Sequence, residues 1–303
     1  MKYYKHILAC LDLSGMDIWI IRYASFLADI VDAEKLTFIH VFQAYDIPEK
    51  EKGSGLVKKK LDEHVKWKVR EHSSAYDLKE TQVETQVIKE NRDAAQVVID
   101  YIRENKVDLT TLGKKADEDR AEMYSGRIMA YGESDMLLVP LTPHHQIDHV
   151  LTALDFSKVS IKAFHIANQI ANHTNSHLAC HLLFSMPKVY FPLTPRQSIA
   201  RYIENKGKKQ MEAFLNNHAK EPLKISRYAE VSDYNEQGVK VMEKANASEA
   251  KLLVVGAKGR TSSHATLLGF IAEEVRKYKS PVPVLVVKNP MEKHSLWNQF
   301  FGG

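Results

Sequence analysis

The stretch HILACLDLS at residues 6–14 returns as HVLTALDFS at residues 149–157. Five of the nine positions are identical, at an offset of 143 residues from His6 to His149. The same offset carries Gly113, Ala116 and Gly126 onto Gly256, Gly259 and Gly269. A repeat of this length is a duplicated domain rather than a solenoid unit. The joint falls in LTPHHQIDH, residues 141–149, where a strand-like run ends, Pro143 intervenes and the pattern restarts. The chain therefore divides into residues 1–143 and 144–303.

Each half reads in the same order. A short β-branched or Leu-rich run, His6–Leu11 or His149–Leu154, comes first. A helical stretch follows, in which Ile20, Ala24, Leu27 and Val31, or Phe164, Ala167 and Ile170, recur at three- and four-residue spacing. Second strands at 36–42 and 178–184 lead into long polar excursions, each with a second helix. The first excursion opens on the flexible GSG at 53–55, after which Val57, Leu61, Val65 and Val69 draw one apolar stripe. In the second half Ile199, Ile203, Met211 and Leu215 serve that face. Third strands (82–88 and 224–231), third helices (94–102 and 238–245), fourth strands (108–112 and 252–255), a fourth helix and last strands (136–139 and 282–287) complete the order. Strands alternating with helices predict a parallel sheet with helices on both faces. The runs LLVV and VLVV are continuously apolar, as strands buried on both sides require. In such sheets ligands collect at the carboxyl ends of the strands, beside the point where strand order reverses.

Composition narrows the function classes. A length of 303 residues suits two domains, and 44% hydrophobic with 26% charged residues is ordinary for a soluble globular protein. A net charge of +4, from 42 basic and 38 acidic residues, lacks the lopsided clustering of a nucleic-acid binder or of a protein for anionic membranes. MKYYKHILACLDLSG reads as no signal peptide, because its apolar run is short and broken by Asp12. No stretch approaches the ~18 apolar residues of a membrane span. The expectation is a cytoplasmic protein with Cys10 and Cys180 as buried free thiols of a reducing compartment.

The stretch GAKGRTSSHATLLGF at 256–270 spaces three glycines as G-x2-G-x9-G directly after a buried LLVV run. Together with Asp155 ending the first strand, and with a helix and SPVPVLVV beyond, it resembles the universal stress protein family, twice over nearly the whole chain. The resemblance implies α/β architecture: two tandem flavodoxin-like (adenine nucleotide alpha hydrolase-like) domains, each a five-stranded parallel sheet. It implies a non-catalytic stress-response protein, and a family divided into members that bind ATP and members that do not. It also implies that last strands pair across a dimer axis, here the two halves with each other through 136–139 and 282–287; further homodimerisation stays open. The family's adenosine-binding positions map onto Asp155, Gly256, Gly259 and Gly269.

Physically, Asp155 can accept a bond from a nucleoside amino or hydroxyl group. Gly256 and Gly259 permit positive φ and close backbone approach. The segment Gly269, Phe270, Ile271 opens a helix whose N–H groups favour an anion, and Lys258 and Arg260 add positive charge. ATP or another adenine nucleotide, with Mg²⁺ only alongside it, is the ligand expected in the second half. Phe270 departs from the family's Ser or Thr, at a cost of about 1.5–3 kcal/mol for one charge-assisted hydrogen bond. In the first half Ala116 replaces the middle glycine, Arg127 stands at the Ser/Thr position, and Asp117, Glu118 and Asp119 would repel a triphosphate; Asp12 reads as structural. The alternative is an interaction protein that binds no nucleotide, or a more apolar ligand with Phe270 in the wall. An unidentified protein partner belongs to either reading.

Other features carry less. His144, His145 and His149, and His173, His177 and His181, have the residue type of a zinc site, but the second set crosses a helix end, a turn and a strand. There is no G-x-S-x-G elbow, no G-x4-GK-[ST] loop and no C-x-x-C. Ser14 and Ser157 read as helix caps. The tail SLWNQFFGG at 295–303 either packs back or docks a partner.

Overall fold

A computed structural model describes residues 4–43, 55–114, 119–141, 143, 146–186, 195–219, 225–233, 236–257 and 270–288. Residues up to His145 form one unit and Gln146–Asn289 a second. The first runs β1 (His6–Leu11), α1 (Asp17–Ile30), β2 (Lys35–Gln43), α2 (Leu56–Ser73), β3 (Gln82–Glu90), α3 (Ala94–Glu104), β4 (Leu109–Gly113), α4 (Asp119–Tyr131) and β5 (Asp135–Val139). The second runs β6 (His149–Leu154), α5 (Lys158–His173), β7 (His177–Ser185), α6 (Arg196–His218), β8 (Ile225–Ser232), α7 (Gln237–Ala247), β9 (Leu252–Gly256), α8 (Phe270–Lys277) and β10 (Val284–Val287).

Within the first unit the strands lie in the order β3-β2-β1-β4-β5, and within the second β8-β7-β6-β9-β10. Pairing is parallel throughout each unit. Each unit is thus a parallel α/β sheet with alternating helices, as the sequence pattern predicts, and it has the five strands that the resemblance implies. Every residue of β1, β5 and β10 is buried, as are the four apolar residues of β9, because helices cover both faces of these strands. The edge strand β3 keeps only Val87 buried, which leaves its polar residues in water.

The duplication survives in the backbone. Three pairs of non-glycine residues hold positive φ: Leu13 with Phe156 (64° and 61°), Asp32 with Asn175 (49° and 52°), and Lys106 with Glu249 (51° and 53°). The members of each pair stand one repeat length apart. The last two pairs end helices. The N–H of Ala33, Ser176, Val107 and Ala250 returns to the carbonyl five residues back, at 2.9, 2.7, 3.0 and 2.9 Å. That 6→1 bond is the Schellman stop, and it requires the left-handed residue before it.

Helix starts differ more. Ser157 caps α5 by accepting from Ser160 N–H at 3.2 Å. Ser14 does not cap α1: its Oγ takes Met16 N–H at 3.2 Å, ahead of the helix. The turn Gly15–Met16 separates it from Asp17, so its hydroxyl is spent one step early. Asp93 caps α3 through Gln96 N–H at 3.1 Å. The equivalent α7 has no side-chain cap of its own; Glu274 of α8 supplies one, accepting from Gly238 N–H at 2.7 Å.

One buried polar group sits off the carboxyl edge. His181 on β7 is fully buried, with its Nε2 3.5 Å from the Glu230 carboxylate of β8. Lys244 of α7 closes on Glu230 at 2.5 Å and lies 4.1 Å over the Tyr228 ring. His181 and then Lys244 hold the Glu230 carboxyl down to about 2.

A Cβ at Gly238 would come within 2.4 Å of Glu274 Cβ and 2.5 Å of its Oε2. Gly238→Ala therefore expels the Glu274 cap and costs about 1–2 kcal/mol, read as a fall of several degrees in Tm. Glu230 is depressed in the folded state, so its contribution is present above its ordinary value of 4.5 and lost as pH falls toward 2. Partial exposure screens it, so Glu230→Gln costs about 1 kcal/mol at pH 7. In a series of melts the gap between variant and wild type closes as pH falls toward 2.

Candidate functional site

The order reversal in each unit lies between its first and fourth strands. In the second unit Val150, Leu151 and Thr152 of β6 pair with Leu252, Leu253 and Val254 of β9. Both strands therefore end at one level: Asp155 follows β6 and Gly256 closes β9. Asp155 Oδ1 accepts Ser157 N–H at 2.9 Å, and the residue between them, Phe156, is held at φ 61°. A non-glycine residue there stores about 1–3 kcal/mol of strain. The bond ties the carboxylate to the turn that opens α5.

Gly256 serves close approach rather than positive φ. The sequence predicts positive φ or close approach; its backbone is not in the positive-φ region, but a Cβ would meet Val159 Cγ1 at 3.1 Å and Ser160 N at 3.4 Å. The end of β9 thus lies directly against the first turn of α5. On the other side of the turn, Phe214 of α6 covers Phe156 and Phe164, with ring centroids 5.2 and 5.1 Å apart. That flank of the edge is apolar. Phe270 and Ile271 are the first residues of α8. Lys258, Gly259, Arg260 and Gly269 lie outside the described residues, as do Ala116, Asp117, Glu118, His144, His145 and the tail at 295–303.

The first unit repeats the frame with different chemistry. Ile7, Leu8 and Ala9 pair with Leu109, Thr110 and Thr111, and Asp12 Oδ1 accepts Ser14 N–H at 3.0 Å with Leu13 at φ 64°. Here the covering helix brings a charge. Lys68 of α2 reaches Asp17 at 2.9 Å and Ser14 O at 3.3 Å. Asp17 is fully buried and also accepts Asp12 N–H at 3.0 Å. Burial pushes its carboxyl up; Lys68 pulls it back. On the opposite face Arg127 binds Asp93, the α3 cap, at 2.8 Å. Arg127 occupies the position equivalent to Phe270, so in the first unit an ion pair stands at the position of the family's Ser or Thr.

Lys114, directly after β4, escapes the motif reading altogether. It is 9% exposed, and its Nζ has no hydrogen-bond partner among the described residues. Burial pulls its amine down to about 8, a cost on the order of 3 kcal/mol while it stays protonated. A lysine directly following a buried LTTLG strand was the signal available in the sequence. Asp17 and Lys68 had none, because their helices read only as amphipathic.

The histidine sets disperse. His173 ends α5 while His177 and His181 lie on β7. His149 Nδ1 lies 2.6 Å from Ser248 O, and His177 Nε2 lies 2.8 Å from Ser226 Oγ. No group of three metal-type ligands occurs among the described residues. Cys10 and Cys180 are free and buried, their thiols pushed up to about 12 by burial. No described helix is long and apolar enough to cross a membrane.

Comparison with known proteins adds family to fold. The model of the universal stress protein family matches residues 146–288. None of the curated proteins matches. Among solved structures, a universal stress protein from Archaeoglobus fulgidus DSM 4304 is 17% identical with a TM-score of 0.65, covering 94% of this chain and 96% of that one. A putative universal stress protein from Pseudomonas aeruginosa UCBPP-PA14 is 14% identical with a TM-score of 0.64, covering 96% of each chain. A functionally unknown protein from Pseudomonas aeruginosa PAO1 is 14% identical with a TM-score of 0.65, covering 96% of this chain and 95% of that one. At these identities the likeness is one of fold, and it extends over both units. Residues 146–288 therefore form a universal stress protein domain, and the chain is a tandem in which the first unit repeats that domain's fold.

Proposed function

We propose that the chain is a non-catalytic stress-response protein whose second unit binds an adenine nucleotide, ATP foremost, at the carboxyl edge between β6 and β9. The observation that carries this reading is the placement of Asp155 and Gly256. They end neighbouring strands at one level, at the order reversal where doubly wound sheets take their ligands. Asp155 accepts from the nucleoside. Gly256 lets the strand end lie against α5, and Lys258, Gly259, Arg260 and Gly269 carry the phosphates to the start of α8 at Phe270 and Ile271. Mg²⁺ enters only with the nucleotide. Phe270 leaves its backbone N–H for the phosphate but no hydroxyl, which makes the site a weak one. The mechanism is a population shift: empty and occupied edges present different surfaces to a protein partner in the cytoplasm.

A second reading draws on the turn itself. Asp12 and Asp155 make the same bond to the serine two residues on, at 3.0 and 2.9 Å. A structural role in holding that turn explains both aspartates without a nucleotide, and Phe156, Phe164 and Phe214 then flank an apolar or empty edge.

Thermal unfolding of the purified chain with millimolar MgATP separates the two. At 100 times its Kd a ligand that binds only the folded state stabilises by about 2.7 kcal/mol. The nucleotide reading predicts a rise of several degrees that Asp155→Ala abolishes. No rise, in protein shown by mass spectrometry to carry no co-purified nucleotide, supports the second reading.

A further inference from the structure

Lys114 has no part in the reading above. Its N–H closes on Val139 O at 2.7 Å, so the sheet fixes its backbone. Ala257, the equivalent residue of the second unit, makes the same bond to Val287 O at 2.7 Å. The ladder therefore needs no lysine at this position. A Cβ on Gly113 would lie 3.1 Å from Met16 Cε and 3.3 Å from Ile20 Cδ1, on the α1 side. Alternation carried one residue past β4 sends the Lys114 side chain to the other face of the sheet, away from Met16 and Ile20.

The described charges on that side are engaged with one another. Arg127 holds Asp93 at 2.8 Å. Asp12 takes Ser14 N–H, and Asp12 and Asp93 both act on the Tyr124 phenol, which lies against Cys10. Burial is the cause of the change at Lys114, with no carboxylate acting on it among the described residues. A buried ammonium without a counter-charge is expensive, and an unsatisfied group of this kind in a folded protein calls for a binding explanation.

We propose that Lys114 anchors an oxyanion site in the first unit: a carboxylate or phosphate group of a small ligand enters the carboxyl edge between β1 and β4 and pairs with Nζ. A lone lysine holds a compact anion as a point charge. It suits one anionic head group rather than a triphosphate, which agrees with the loss of the middle glycine at Ala116. The two units would then answer to different ligands from one inherited frame.

The test is thermal unfolding of the full chain at pH 7 with inorganic phosphate or acetate up to about 50 mM, the ionic strength held with sodium chloride. A saturable rise of several degrees in the wild type is expected with at least one of them. Phosphate alone identifies a phosphate head group, and acetate alone a carboxylate. Lys114→Met melts higher than wild type without added anion and loses the response, whereas Asp155→Ala keeps it. Should Lys114→Met fail to fold, Lys114→Gln carries the same comparison. No saturable response in wild type, or an equal response in the Lys114 variant, overturns the proposal and leaves Lys114 as a buried amine with no external ligand.

Discussion

The pairing of each unit's fourth strand against its first is the constraint from which the rest follows. Ile7 lies beside Leu109, and Val150 beside Leu252. Right-handed crossovers then place two helices on each face and bring both strands to one edge with their carboxyl ends level. Glycine suits the end of the fourth strand, because the start of the helix that follows the first strand sits against it. At Gly113 the obstacle is the side chains of Met16 and Ile20; at Gly256 it is Val159 and the backbone of Ser160. An aspartate must then hold the strained turn after the first strand, at Leu13 and at Phe156. These requirements are steric and apply whether or not a ligand binds. That is why they persist in both units.

The units part where the constraint relaxes. Around the first edge the frame is filled with charge: Asp17 with Lys68 on one face, and Asp93 with Arg127 on the other. The former pair is buried, the latter exposed, so only the former has a dielectric low enough to hold geometry firmly. Around the second edge the corresponding cover is aromatic, through Phe214 on Phe156 and Phe164. One ancestral frame thus yields a polar edge with a buried lysine beside it and an apolar-flanked edge followed by the glycine loop.

The fold was legible because it is written in periodicity and duplication. Continuous apolar runs named the strands, and the repeat of HILACLDLS fixed the order of elements in each half. The helix ends at Asp32 and Asn175, or at Lys106 and Glu249, were not legible, since none is glycine. The site was legible only as far as its motif. Asp155 and Gly256 stand where the motif puts them, although Gly256 serves proximity rather than positive φ. Lys68 and Asp17 were invisible, because each is an ordinary charged residue whose meaning comes from a partner far along the chain, and Lys114 showed only as a lysine directly after a buried strand. Ser14 misled for the opposite reason: a serine two residues past an aspartate looks like Ser157, but its helix starts at Asp17 rather than on the next residue.

The central claim is that the two carboxyl edges have diverged, with the nucleotide held by the second. Backbone amide exchange, followed by mass spectrometry with and without MgATP, tests it most directly, because it reports where a ligand protects as well as whether it binds. The account predicts protection at the turn from Asp155 to Ser160, at Gly256 and at the start of α8, with the Asp12–Asp17 turn and Lys114 unchanged. Protection at the first edge instead, or at neither, would contradict it.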